Sequence, residues 1–185
     1  MTPNRSSADL EAAAFQVTRE WTTLAEQAAL LEKVTGHREP QEQAILESCF
    51  LHLRCLINFL SGNYQGVRSG KDIQPIDFLG REWWLDDDEL DCRLRGRLAV
   101  INKELAHLSW ERINNDVAIM WPMSLLVHEV CYGMKGFVNE LCDGGGSCLV
   151  QFEAACQQVD AVLPPLGQVV AALPPLAPSR RASCD

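Results

Sequence analysis

No stretch of about 18 apolar residues, the length that crosses a bilayer as a helix, occurs anywhere in this chain. The N-terminal segment MTPNRSSADLEAAAF also lacks an apolar core of signal-peptide length, so membrane insertion and export are not expected and the expected location is cytoplasmic. Basic residues are in the minority: 16 Lys and Arg stand against 25 Asp and Glu, a net charge of −9. That balance argues against a protein that grips nucleic acid over a broad surface, because displacing phosphate counterions takes many cationic side chains. It leaves room for a local basic patch. Also missing are a phosphate-cradling P-loop, a GxGxxG after a strand, HExxH and GxSxG. Nucleotide hydrolysis, dinucleotide chemistry, zinc proteolysis and serine hydrolysis therefore have no motif here, and no cofactor is expected.

Cysteine is plentiful, with eight in the chain, but the spacing excludes the usual metal frameworks. Cys49 and Cys55, like Cys142 and Cys148, are six apart, and no CxxC or Cys/His quartet of structural-zinc spacing exists. Most of these thiols are expected to be reduced core residues, since free Cys packs as a small hydrophobe, and no metal site is expected.

What is present is helical periodicity. At 185 residues, 47% hydrophobic and 22% charged, the chain fits one domain with a sizeable core. That domain is expected over 7–163, followed by a Pro-rich tail, 164–185, with two Pro-Pro pairs and little to hold it. The organising stretch is 94–112, where Leu94, Leu98, Ile101, Leu105 and Leu108 step by four, three, four and three and so share one helical face. Asp86 with Glu89 forms a capping-box pattern and Leu85 with Leu90 a hydrophobic staple, which start this helix at 85–86. Such a cap is worth on the order of 1 kcal/mol.

Upstream, a helix is expected to begin after Ser6 or Ser7. Its stripe is Leu10, Ala14, Val17, Trp21, Leu24, Ala28 and Leu31. Neighbouring helices of the same chain or a dimeric coiled coil could cover it, and its alanines and short length favour the first. A second helix follows Glu39, with Pro40 in the position that tolerates proline and Leu46, Cys49, Phe50, Leu53, Ile57 and Leu60 as its buried side. The glycine-bearing stretch 61–84 reads as a long loop with one short helical piece, folded back onto the bundle through Asp72-Ile73 and Asp77-Phe78-Leu79. A fourth helix starts near Trp121-Pro122 on the face Leu126, Val130, Met134, Phe137 and Leu141, and breaks at Gly144 to Gly146. A fifth carries Leu149, Phe152, Cys156, Val159 and Leu163. The fold expected is an all-α, mostly antiparallel bundle of about five helices.

Polar residues beside these stripes are the candidate site. Arg54 runs in a row with Glu47, Leu51 and Asn58 on the second helix. It reads either as a surface residue paired with Glu47 or as a partly buried cation ordering a polar site between helices. On the central helix Arg97 borders the core near Ile101, Lys103, His107 and Glu111 recur along another side, and Asn102 and Arg112 flank them. His52 and His128 have no such setting and read as structural.

The segments FLHLRCLINFL (50–60) and RLAVINKELAHLSWER (97–112), joined through DIQPIDFLG, resemble bacterial helical-bundle proteins of the HEPN type, including abortive-infection-like members. The resemblance covers roughly residues 40–140. In HEPN ribonucleases an Arg, a polar residue and, a few positions on, a His lie on one helix, and two protomers face each other across the paired motifs. Here His107 matches the His, while Asn102 stands at the arginine's position with Lys103 next to it. The resemblance implies a homodimer, a role in defence or stress, and two functional readings. One is a non-catalytic interaction or sensing module with a protein partner, in which Arg54, Asn102, Lys103 and His107 form a polar seam between the second and central helices. The other is a ribonuclease with RNA as its partner, His107 as acid/base, Lys103 on the phosphate, and Arg97 or Arg112 adding charge. The acidic charge and the absent arginine favour the module. The adjacent Trp83 and Trp84, costly to expose together, also suit a dimer, although burial within one chain accounts for them as well.

Overall fold

The computed structural model describes residues 5–31, 40–61, 72–83, 85, 88–106, 123–145 and 148–163. Among the described residues there are six helices and no strand: α1 Ser7–Leu31, α2 Pro40–Leu60, α3 Pro75–Leu79, α4 Asp88–Ala106, α5 Met123–Gly144 and α6 Leu149–Val162. The sixth helix beyond the five expected is α3, the short helical piece of the folded-back loop. Asp86 of the expected capping pair, the end of the central helix beyond Ala106, the turn at 114–116 and the tail at 164–185 lie outside what is described, and Glu89 lies in α4 with its side chain outside it.

Each stripe read from the sequence faces the core where it is described, with Phe50, Leu149, Cys156 and Leu163 only partly buried. On α1 Ala14, Val17, Trp21, Leu24 and Ala28 face inward, with Leu10 and Leu31 at the margins. On α4 Leu90, Leu94, Leu98 and Ile101 are at most 2% exposed. Helix α2 is buried over a wider arc than its stripe, because Leu56 and Phe59 also turn inward. The reason is position: α2 packs against α1, α4 and α5, so three of its sides meet neighbours. At Gly133 of α5 a Cβ would come within 2.8 Å of Leu60 Cδ1, so the two helices approach through a missing side chain.

A cluster of aromatic side chains joins α2 and α3 to α5 and α6. Phe137 of α5 meets Phe59 of α2 at 5.1 Å between centroids, Phe152 of α6 at 5.2 Å, Trp83 at 5.7 Å and Phe78 of α3 at 6.1 Å. All are edge-on, the arrangement the ring quadrupole favours. Helix α3 can reach this cluster because its ends are locally satisfied. Pro75 occupies the first turn, the Gln74 N–H donates to Asp77 Oδ2 at 2.9 Å, and Gly80, at φ 67°, closes the helix by donating to the Ile76 carbonyl. Trp83 is thus half-buried within its own chain, which supplies an intramolecular place for one of the two tryptophans that suggested a dimer.

Polar links finish the bundle. The Trp21 indole N–H donates to the Cys131 thiol at 3.2 Å in the core, Arg93 on α4 pairs with Glu129 on α5 at 2.9 Å, and Gln158 on α6 donates to Glu26 on α1 at 2.8 Å. Lys135 and Asp160 pair between α5 and α6. Exposed pairs of this kind contribute about 0 to 1 kcal/mol each, so burial of the apolar faces carries the stability. Accordingly Leu98→Ala or Ile101→Ala is expected to lower unfolding free energy by about 2 to 5 kcal/mol and Phe137→Ala by about 3 to 5 kcal/mol, measured by urea unfolding.

Candidate functional site

Between α1, α2 and α4, closed at one end by the segment that leads into α3, lies a half-open cleft of about 540 Å³. Its floor is apolar, formed by Val17, Leu56, Phe59, Ile73 and Leu98. Val17, Leu56, Phe59 and Leu98 are buried core residues, and Ile73 is partly buried against them. The polar rim of the cleft includes Glu20 of α1, Arg54 and Asn58 of α2, Asp72 and Gln74 before α3, and Asn102 of α4.

Two residues singled out from the sequence therefore come to one place: Arg54 and Asn102 line the same cleft from facing helices. Neither reading of Arg54 holds as stated. It is exposed, not partly buried, and it makes no ion pair with Glu47 or with any other described residue. Asn102 is half-buried, and its side-chain oxygen is fully enclosed with no hydrogen-bond partner among the described residues. An enclosed acceptor left without a donor costs about 1 to 3 kcal/mol, which a ligand N–H in the cleft would recover. Arg97 is half-buried on α4 but is not part of the cleft lining. Lys103 lies in α4 with its side chain outside the described residues, and His107 and Arg112 lie outside them altogether.

A second polar group, read from the sequence only as a structural histidine, sits between α1 and α2. His52 Nδ1 is 2.6 Å from Glu20 Oε2, and His52 Nε2 is 3.3 Å from Ser48 Oγ. The Gln27 amide donates to Ser48 Oγ at 3.0 Å, and the Gln16 amide donates to the other oxygen of Glu20. Both Glu20 oxygens are thereby occupied as acceptors, one of them by the short contact expected of a charge-assisted bond. Glu20 thus belongs both to this network and to the cleft. Sequence supplied one signal, the four-residue spacing of Ser48 and His52 on a helix. The partner helix that brings Glu20 and Gln27 is not encoded in any local pattern.

The thiols divide by location. Cys49 and Cys131 are buried, Cys148 and Cys156 are intermediate, and Cys55 and Cys142 are exposed, so the core reading holds for only part of the set. Cys92 is in a disulfide. Partial desolvation and then the Glu20 carboxylate hold the Cys55 thiol above its ordinary range, with Arg54 pulling the other way. Among the described residues no group of three or more His, Cys, Asp or Glu side chains is placed to hold a metal ion. No helix of the described residues is long and apolar enough to cross a membrane.

The described residues form an all-α bundle that contains the interhelix cleft and the interhelix hydrogen-bond relay described above. Compared with models of known families, with curated proteins and with solved structures, the chain finds no match.

Burial pushes the Cys49 thiol up to about 12 and the Cys131 thiol up to about 11, the Trp21 N–H opposing the second rise. The unfolded chain releases these protons near pH 8.5 (about the free-thiol value). The folded state holds them longer, so their contribution to stability is full below about that pH and is lost as the pH rises through the folded values. Unfolding free energy is expected to fall between about pH 9 and 11 by urea titration at each pH. At pH about 8, iodoacetamide followed by peptide mass mapping should modify Cys55 and Cys142 well before Cys49 and Cys131.

Proposed function

We propose that this chain is an interaction and sensing module of the HEPN-like helical-bundle type, serving bacterial defence or stress as a homodimer, with the α1/α2/α4 cleft as its non-catalytic sensing site. The observation that carries this reading is the meeting, in one cleft, of the Arg54 guanidinium and an enclosed Asn102 oxygen, neither with a partner among the described residues, over an apolar floor. A small concave site with an apolar lining and a few convergent polar groups is the usual form of a ligand pocket. The complementary ligand carries an anionic group for Arg54, an N–H donor for Asn102 and an apolar body. The exposed Asp72 carboxylate offers a further acceptor for a donor. Ligand occupancy would then bear on α2 and α4 together, which is how a binding event in such a module reaches a partner surface.

The dye 1-anilinonaphthalene-8-sulfonate has all three features, a sulfonate, an anilino N–H and fused rings. It is expected to bind the folded protein with saturable fluorescence, and Arg54→Ala and Asn102→Ala should each weaken it by about tenfold, the effect of about 1.4 kcal/mol. Circular dichroism melting accompanies each titration, so that dye bound by loosened protein is recognised. Affinity unchanged in both variants would reject the cleft as the site.

The ribonuclease alternative has its own test. Incubated with mixed cellular RNA, both the protein and its His107→Ala variant are expected to leave the RNA intact. Cleavage by the unaltered chain that disappears in the variant would replace the module reading with the nuclease one.

A further inference from the structure

The donors and acceptors between α1 and α2 can be assigned one direction throughout. Gln27 Nε2 donates to Ser48 Oγ, so the hydroxyl proton of Ser48 is free to point elsewhere, and His52 Nε2 at 3.3 Å is the acceptor beside it. His52 Nε2 then accepts, which places its ring proton on Nδ1, facing Glu20 Oε2 at 2.6 Å. Glu20 stays an acceptor on both oxygens, because Gln16 donates to the second. The order hydroxyl, imidazole, carboxylate, each group oriented by the next, is the arrangement by which a serine is activated as a nucleophile. None of the three is sealed in the core. Ser48 is half-buried, and the His52 and Glu20 side chains are each 19% exposed.

We propose that Ser48, His52 and Glu20 form a nucleophilic acyl-transfer site for esters with a small acyl group, in which Gln27 supplies the donor to the developing oxyanion. Ser48 Oγ attacks the ester carbonyl as its proton passes to His52 Nε2, and the carbonyl oxygen becomes an oxyanion within reach of the Gln27 amide. Collapse re-forms the carbonyl and breaks the bond to the leaving alkoxide, which takes the proton from His52. The acyl group remains on Ser48. Water then attacks the acyl-serine with His52 as base, releasing the carboxylic acid and restoring the hydroxyl. Glu20 touches no substrate atom. It is a positioning residue that holds the imidazole in the required tautomer.

This activity is independent of the cleft reading, although Glu20 borders both places. Dye binding reports on the cleft and serine labelling on Ser48, so either can fail alone. The test is reaction of the full chain with a fluorophosphonate probe, where Ser48 Oγ displaces fluoride at phosphorus and His52 takes the proton. Intact mass and peptide mapping are expected to show one adduct, on Ser48, absent from Ser48→Ala at unchanged helical signal. His52→Gln should slow labelling by about 100-fold or more, the range general-base assistance supplies. Glu20→Gln, which keeps shape and loses charge, should slow it by at least about tenfold. p-Nitrophenyl acetate is expected to give a burst of nitrophenolate that Ser48→Ala lacks. Absence of a Ser48 adduct on the folded unaltered chain overturns the proposal, whatever the variants do. Equal labelling rates in the chain and in His52→Gln, or equal labelling in urea, overturn it as well.

Discussion

Phe137 is the point on which the rest of the structure depends. It is fully enclosed, and through its edge-on contacts it ties α2, α3, α5, α6 and Trp83 into one cluster. Five large rings near one point remove much apolar surface from water, and the edge-on geometry adds a directional preference. The consequence reaches beyond stability. With Phe78 anchored against Phe137 and Phe152, the residues just before it are held against the bundle, and Asp72, Ile73 and Gln74 become a wall of the cleft. Phe59 takes part in both, as a ring of the cluster and as part of the cleft floor. The functional candidate is in this sense a by-product of where the aromatic residues close.

The α1/α2 interface works on a different principle. Most of its area is apolar, yet it includes the chain of Gln27, Ser48, His52, Glu20 and Gln16. Hydrogen bonds between half-buried groups have strict distance and angle requirements, which an apolar seam lacks. One helix sliding past the other by a turn would break the contacts of Glu20 and Gln27 together, so the network fixes their register. It also fixes the Glu20 carboxylate at the cleft rim, with both of its oxygens engaged by its partners.

Much of the fold was legible in the sequence because burial in a helix repeats with the helical period. The stripes of α1, α4 and α5 are readable from periodicity, and so is the presence of a short helical piece in the folded-back loop, though not its position between Pro75 and Leu79. Less of the candidate site was legible. Arg54 and Asn102 could be suspected because each flanks a core stripe, and helices that bury adjacent stripes bring their flanks together. His52 could not. On its own helix it has only Ser48 at a suitable spacing, and its carboxylate lies 32 residues earlier on another helix. The count of thiols in the core was also overestimated, since residue type alone does not tell Cys49, buried, from Cys55, exposed one and a half turns later on the same helix.

Periodicity by itself determined that this chain is an all-α bundle and where the main apolar stripes of α1, α4 and α5 lie, since both follow from local geometry repeated every 3.6 residues. It determined as well that no common nucleotide, dinucleotide or zinc motif is present. The tertiary structure alone decided that Arg54 and an enclosed Asn102 oxygen meet in one cleft without a partner among the described residues, and that Glu20, His52 and Ser48 align. Those facts depend on helix crossing and register, which are set by the volumes of side chains meeting from distant parts of the chain, and no local pattern carries that information.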